Sequence, residues 1–278
     1  MSELPTVRAM LEREGLWADK RLGQHFLLDL NVTRRIARLA AFAPGATVIE
    51  VGPGPGGLTR ALLEAGAGRV IAIEKDERFL PILRDIAAWS DGRLKIVHAD
   101  ALGVDEAALV GAGEAAIVSN LPYNVGTPLL VKWLKAGAWR GPMTLMFQKE
   151  VAERIAAAPG SSAYGRLAVA AQAVCAAQIV MNVPAAAFTP PPKVDSAVVR
   201  LADRTDRFDD LEALETITAA AFGQRRKMLR SALAGLGDAE GLLAAAGIAP
   251  TARAETVPVA RFLDMARAWR ARKTKCLP

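Results

Sequence analysis

No stretch of ~18 uncharged apolar residues occurs in the 278-residue chain, so no segment reads as a membrane-crossing helix. The N-terminus also lacks an apolar signal core. Its basic residues could pass for a transit peptide, but Glu3, Glu12, Glu14 and Asp19 argue against one. Cysteine is nearly absent: Cys175 and Cys276 show neither metal-ligand spacing nor the neighbours of a redox pair. Both read as structural thiols in a reducing compartment, so a cytoplasmic protein without a metal and without a membrane partner is expected. Internal repeats are missing, which leaves out repeat architectures. What is present is ordinary for a folded chain: 52% hydrophobic and 23% charged residues exclude a wholly disordered one. The length suits one large domain with a smaller appendage.

Cations outnumber anions, 35 Lys+Arg to 29 Asp+Glu, giving a net charge of +6 and a pI of about 9.6. Such a balance points towards a polyanionic partner, and the distribution sharpens it. Arg225, Arg226, Lys227 and Arg230 form a run with no acid among them, and Arg267, Arg270, Arg272, Lys273 and Lys275 come near the end of the sequence. Either cluster alone could be a solvated helix face. Both in one C-terminal segment favour nucleic acid. In the first run, spacing places Arg226 and Arg230 on one helical face with Lys227 at its edge, while Phe222, Met228, Leu229 and Leu233 would form the buried side.

From residue 47 onward, short apolar runs alternate with helical patterns. Strands are predicted at 47–51, 69–73, 94–98, 115–119 and 143–147, with helices such as 58–65 and 78–88 between them, which implies a parallel sheet covered on both faces. A helix at 166–176 and two late strands at 178–183 and 197–201 follow, with a rigid proline-rich connection at 188–192. The polar stretch 202–210 reads as a linker. Beyond it, Ala- and Leu-rich periodicity punctuated by Gly235, Gly237 and Gly247 predicts a small domain of three to five helices.

The first chemical signal is Glu50-Val51-Gly52-Pro53-Gly54-Pro55-Gly56-Gly57, between a strand and a helix. Glycines there permit a tight turn and close approach of a ligand to the backbone. Gly52, Gly54 and Gly57 also satisfy the dinucleotide pattern, and Glu74, ending the next strand, could grip a ribose in either type of cofactor. The loop alone therefore leaves a nicotinamide enzyme and a methyltransferase both open. Asp100, ending the third strand, is placed to accept from an adenine amine, or equally to cap a helix.

Asn120-Leu121-Pro122-Tyr123, directly after the fourth strand, separates the two, since a dehydrogenase has no use for it there. The N6 amine of adenine is a poor nucleophile because its lone pair is delocalised into the ring. Accepting both amine hydrogens localises that pair and steadies the charge that builds during attack. The Asn120 side-chain oxygen and a backbone carbonyl beside Pro122 are the two acceptors, each worth ~10²–10³ in rate by analogy with oxyanion sites. Tyr123 offers a ring face for the target base, worth about 1–3 kcal/mol, once that base is turned out of its stack.

With these residues in view, the chain resembles the bacterial small-subunit (16S) ribosomal RNA adenine dimethyltransferases, the family whose loss gives kasugamycin resistance. The resemblance runs through Lys20-Arg21-Leu22-Gly23-Gln24-His25-Phe26-Leu27, a segment that closes over the cofactor in the family. It continues through Phe147–Val151, Ala163–Leu167, Phe188–Ser196 and Phe222–Lys227. His25 stands where the family commonly has Asn. The resemblance implies a doubly wound, Rossmann-like α/β class I methyltransferase sheet over residues 1–202 and a smaller all-helical, ribosome-contacting domain over 203–278. It also implies dimethylation of two adjacent adenosines in the loop of the 3′-terminal hairpin of 16S rRNA within an assembling small subunit, by a monomer using S-adenosyl-L-methionine. By position it implies cofactor contacts at His25, Leu27, Gly52, Glu74, Asp100 and Asn120, and a target-base sandwich of Tyr123 and Phe188, the latter also readable as a core residue. With Asn120, Leu121 and Pro122 these make the reacting site, and Arg225, Arg226, Lys227 and Arg230 the RNA grip.

Two rivals remain. Relatives that methylate a large-subunit adenine and confer antibiotic resistance usually carry Ile at the position of Leu121 and diverge from the Ala163–Leu167 and Pro190–Ala197 blocks. The other is an RNA-binding assembly factor that has lost or subordinated catalysis; intact Gly52, Glu74, Asp100 and Asn120 weigh against loss, since a pure binder would need none of them, and the two functions can coexist.

Overall fold

The predicted apolar runs become the spine of a seven-stranded sheet. The structure, a computed structural model, describes residues 4–16, 25–224 and 226–275, with nothing said of the Lys275 side chain. In chain order the first elements are α1 (Val7–Arg13), β1 (Phe26–Leu27), α2 (Leu30–Ala40), β2 (Thr47–Val51), α3 (Gly57–Glu64), β3 (Arg69–Glu74), α4 (Leu80–Trp89) and β4 (Leu94–His98). There follow α5 (Glu106–Val110), β5 (Ala115–Asn120), α6 (Gly126–Leu134), β6 (Arg140–Gln148), α7 (Lys149–Ile155), α8 (Arg166–Val174), β7 (Cys175–Val183), β8 (Phe188–Thr189) and β9 (Ser196–Asp203). The last are α9 (Leu211–Gly223), α10 (Leu229–Ala232), α11 (Ala239–Ala245) and α12 (Val259–Lys275). No described helix is long and apolar enough to cross a membrane.

The chain divides into two compact units, Met1–Ala152 with Gln178–Ala202, and Glu153–Ala177 with Asp203–Pro278. In the first unit the sheet order is β4-β3-β2-β5-β6-β9-β7, parallel from β4 to β6, with β9 antiparallel to β6. Alternate strand residues face opposite ways, and both sets are apolar. Val48, Val70, Ala72, Ala116 and Val118 share one core with Ile36, Leu62 and Leu83, while Ile49, Ile71, Ile73 and Ile117 are equally buried. From β2 the chain winds one way to β3 and β4, then the other way to β5 and β6. The order reverses between β2 and β5, and the crevice outside their carboxyl ends is where such sheets bind ligands.

Two differences from the sequence reading have local causes. The helix predicted over 166–176 ends at Val174, because Cys175 enters β7, and that strand runs three residues further back than expected. Cys175 is buried, as a structural thiol should be; Cys276 lies outside the described residues.

The sequence boundary at 202/203 assigned 153–177 to the sheet domain, yet α8 packs on α9 and α12 in the second unit. Tyr164 explains the attachment. Wholly buried, it donates its hydroxyl to the Val257 carbonyl at 2.9 Å and meets Phe222 edge-on, while Phe222 stacks on Phe262. Backbone bonds from Gly160 to Glu255 (2.7 Å) and from Phe208 to Ala173 (2.9 Å) close the seam. Tyr164, in the Ala163–Leu167 block, is thus a packing residue of the helical unit.

The second basic cluster meets acids and rings of its own unit. Arg270 forks onto Asp210 at 2.6 and 2.7 Å and reaches Glu212 at 2.9 Å. Arg267 pairs with Asp264 and lies over Phe208, Arg272 pairs with Asp238, and Lys273 sits over Trp269 at 4.5 Å. Asp264 and Trp269 are neighbours on the same helix, whereas Phe208, Asp210, Glu212 and Asp238 come from far along the chain and tie α12 into the helical unit.

Candidate functional site

A cavity of about 500 Å³ opens at the carboxyl ends of β2, β3, β4 and β5. His25, Leu27, Gly52, Glu74, Asp100, Asn120, Leu121, Pro122, Tyr123 and Phe188 all line it, so the tertiary structure gathers ten residues spread over 164 positions (188 less 25, counted inclusively).

Its floor is the glycine loop. Gly52 has φ +66°, and a Cβ there would stand 3.2 Å from Cγ and Cδ of Pro122, so a side chain is refused by both backbone and neighbour. Glycine at 52 is what lets the loop after β2 and the turn after β5 lie against each other. Gly57 serves a different neighbour: the Leu27 carbonyl would be 3.0 Å from its Cβ, so the strand carrying His25 and Leu27 presses on the start of α3.

Glu74 is 6% exposed, with Oε2 accepting from the Gly54 N–H at 2.9 Å and Oε1 from the Asp76 N–H at 2.8 Å. Burial raises its carboxyl above the ordinary range, and those N–H groups pull it part of the way back. Glu50, unassigned from sequence, is 2% exposed and also lines the cavity. Burial pushes it up to about 8, against the Thr59 hydroxyl, which donates to it at 2.6 Å, and with the help of the Glu74 charge. A side-chain-free glycine loop along the cavity floor, followed by a strand that ends in a fixed carboxylate, fits a nucleoside cofactor with ribose hydroxyls to donate.

Of the two roles the sequence left open for Asp100, the structure shows the cap. Its Oδ1 caps the short turn Ala101–Gly103 through the Leu102 N–H at 3.0 Å, and its Oδ2 meets Lys75 Nζ at 2.8 Å. Lys75, then Leu102 N–H, hold its carboxyl below the usual range. Behind this turn, Lys132 of α6 donates to the Ala101 and Val104 carbonyls at 2.8 and 2.6 Å and to Glu106 at 2.9 Å, and Trp133 adds its indole N–H to the same carboxylate. The helix leading away from the Asn-Leu-Pro-Tyr motif therefore also braces the wall carrying Asp100. Sequence reasoning missed Lys132, which stands alone on an apolar helix; that isolation was the available signal.

On the opposite wall, the Asn120 side chain has no hydrogen-bond partner among the described residues and borders the cavity. The Pro122 carbonyl is taken by the turn into α6, accepting from Val125 and Gly126 N–H at 3.1 Å each, so Leu121 supplies the carbonyl beside Pro122 that this turn does not use. The Tyr123 hydroxyl lies 2.7 Å from Ser196 Oγ, and burial raises its pKa. His25 stands 5.9 Å from the Tyr123 ring, its Nδ1 2.8 Å from the Pro190 carbonyl. β1 pairs with β8, Leu27 opposite Phe188, so the segment bearing the predicted cofactor contacts and the segment bearing the predicted base contact form one ribbon. Phe188 is 3% exposed and belongs to the core, as one reading of it expected, and it also lines the cavity. Residues 20–24 of the closing segment lie outside the described residues.

The basic run 225–230 is not on one helical face, which corrects that expectation. α9 ends at Gly223, Lys227 N–H turns back to the Gln224 carbonyl at 2.8 Å, and Met228 is extended and 42% exposed. Leu229 and Leu233 are buried as predicted; Met228 is not. Arg226, Lys227 and Arg230 are exposed, and Arg225 lies outside the described residues. Leu229 N–H donates to the Ala252 carbonyl at 2.8 Å, which brings exposed Arg253 to the same turn, a neighbour invisible in sequence.

A family model described as ribosomal RNA adenine dimethylase matches residues 16–270. The chain is 64% identical over 276 residues to ribosomal RNA small subunit methyltransferase A of Phenylobacterium zucineum, covering 98% of this chain and 95% of that protein. It is 63% identical to the protein of the same name from Caulobacter vibrioides, over 90% of this chain and 97% of that one. Among solved structures it is similar to a dimethyladenosine transferase from Plasmodium falciparum, with TM-score 0.77 at 25% identity over 90% of this chain and 98% of that one. It is also similar to the 23S rRNA methyltransferase ErmE, with TM-score 0.69 at 27% identity over 88% and 99%.

Proposed function

Because the chain belongs to the ribosomal RNA adenine dimethylase family, we propose that it dimethylates the N6 amine of two adjacent adenosines in the 3′-terminal hairpin loop of 16S rRNA, in assembling small subunits. It is an S-adenosyl-L-methionine-dependent rRNA methyltransferase with an α/β methyltransferase fold. The observation that carries the reading is the Asn120 amide, without a partner among the described residues, in the cavity that also holds Glu74 and beside the Leu121–Pro122 turn.

When bound, S-adenosyl-L-methionine supplies an electrophilic methyl group. Glu74 keeps lone pairs for ribose hydroxyls while its backbone bonds hold it still, and His25, Leu27, Gly52 and Asp100 complete the cofactor wall. Asn120 Oδ1 and the Leu121 carbonyl accept the two amine hydrogens, a fixed arrangement that stabilises charge only as it develops on nitrogen. Tyr123, with Phe188 at the edge of the same wall, stacks the turned-out base. The sheet domain performs the chemistry, and Arg225 with the exposed cations Arg226, Lys227 and Arg230 of the helical domain grips phosphates. The protein works as a monomer in the cytoplasm, where ribosomes assemble.

The large-subunit reading shares the fold with ErmE but not the relatives near 64% identity, whose name is of the small subunit. Mass spectrometry of the 3′-terminal small-subunit rRNA fragment from cells with and without the gene tests the reading. Two dimethyladenosines should vanish with the gene; unchanged methylation there would overturn it.

A further inference from the structure

The hydroxyl of Tyr123 has no part in stacking, yet it does not point into open solvent. It lies 2.7 Å from the Ser196 hydroxyl, 73 residues on. Ser196 is wholly buried, opens β9 and pairs with Gln148 at the end of β6. The same corner is pinned twice more: Lys149 N–H donates to the Asp195 carbonyl at 2.9 Å, and the Asp195 carboxylate accepts from Ala185 N–H at 2.9 Å. Tyr123 itself sits in the turn between β5 and α6, where its ring is half-buried and no strand holds its backbone. A ring on such a turn can swing about both side-chain torsions. One hydrogen bond from its far end to a point fixed by the sheet removes the swing that would carry the ring away, at little entropic cost. His25, tied to the Pro190 carbonyl at 2.8 Å, bounds the ring beside it.

We propose that Ser196 is a positioning residue for methyl transfer: it fixes the position of the Tyr123 ring so that the target adenine stacks on a ring already set in place. This rests on the assignment of Tyr123 as the stacking face. The hydrogen bond can run either way, so the device asks only for an oxygen at 196 and a hydroxyl at 123. The Ser196 contribution is therefore carried through Tyr123 alone, and the two residues form one unit.

The test uses small subunits reconstituted with 2-aminopurine at the target adenosine, whose fluorescence is quenched on stacking, alongside single-turnover methylation of unlabelled subunits. Tyr123→Phe and Ser196→Ala should each slow transfer about two- to tenfold, the size expected for one hydrogen bond, and each should weaken the quench. The double variant should be no worse than either single one, because both remove the same bond. Affinity for S-adenosyl-L-methionine should not move, which also reports that each variant is folded. Additive losses would overturn the proposal. So would a Tyr123→Phe variant with wild-type rate and quench, which tests the bond from the other end even if Ser196→Ala does not fold. Tyr123→Ala separates the two levels. If it transfers and quenches like wild type, the stacking assignment itself fails. If it is dead while Tyr123→Phe and Ser196→Ala behave as wild type, only the role of Ser196 falls.

Discussion

Asn120 and Glu50 are both polar groups at the edge of the same cavity, and they differ in what the fold has done with them. The Asn120 amide has no partner among the described residues, so its hydrogen-bonding capacity is available to an incoming amine. Asn120→Ala should lower the single-turnover methylation rate by about 10²-fold or more, with RNA and cofactor affinities within about twofold of wild type. Rapid-quench assays with calorimetric titrations check both halves, and a rate within about threefold of wild type would contradict the role. Glu50 is instead sealed in and protonated at neutral pH, its carboxyl raised to about 8 by burial. An acid whose folded pKa lies above its unfolded value of 4.5 binds more protons when folded, so stability falls as pH rises from about 4.5 to about 8. Glu50→Gln removes that loss while keeping a group for Thr59. Thermal melts should show the variant gaining on wild type between pH 5 and pH 8.5; a constant difference in melting temperature across that range would mean Glu50 does not titrate there.

At the scale of elements, the loop after β2 and the turn after β5 meet because the winding reverses between those two strands. Gly52 is the hinge of that meeting. Gly52→Ala puts a methyl 3.2 Å from the Pro122 ring and an L side chain at φ +66°. The backbone strain alone costs about 1–2 kcal/mol, and the clash must move the loop, the Pro122 turn or both. Cofactor affinity and transfer rate should therefore fall together, with a lowered melting temperature. Calorimetry beside the single-turnover assay checks this, and a loss confined to cofactor affinity would show that the loop and the turn are not mechanically joined. The β1–β8 ribbon makes a second such joint, Leu27 facing Phe188, and Lys132 a third, bracing the Asp100 wall from α6. No wall of the cavity is held by its own strand alone.

At the scale of the whole molecule, the net charge of +6 divides into cations the fold consumes and cations it leaves exposed. Arg267, Arg270 and Arg272 are ion-paired within the helical unit, whereas Arg226, Lys227, Arg230 and Arg253 surround an exposed turn. Only unpaired cations exchange counterions with phosphate. Replacing Arg226, Lys227 and Arg230 with Gln should flatten the slope of log K against log salt by up to about two units in filter binding of precursor small subunits. Replacing Arg267 and Arg272 should leave that slope unchanged and lower the melting temperature instead. Equal flattening in both variants would show that the paired arginines also reach the RNA.

The parallel strands, the glycine loop and the Asn-Leu-Pro-Tyr motif were legible in the sequence because each rests on local rules: runs of apolar residues, backbone freedom at glycine, ring constraint at proline. β2 and β4 fall on their predicted bounds, β2 as a buried strand and β4 at the sheet edge with Lys95 and His98 exposed. The cofactor-side and base-side residues could be named from their motifs one by one. Their convergence could not, because it depends on strand order, which is set by long-range pairing. The same limit hid Ser196 behind Tyr123, Lys132 behind Asp100, and the acids that claim the C-terminal arginines. It also hid the attachment of 153–177 to the helical unit, which hangs on Tyr164 finding Val257. Sequence composition determined that this protein carries spare positive charge and a nucleoside-binding loop. Only the tertiary structure decided which charges are spare, because neutralising a cation requires an acid within about 4 Å in space, whatever its distance along the chain.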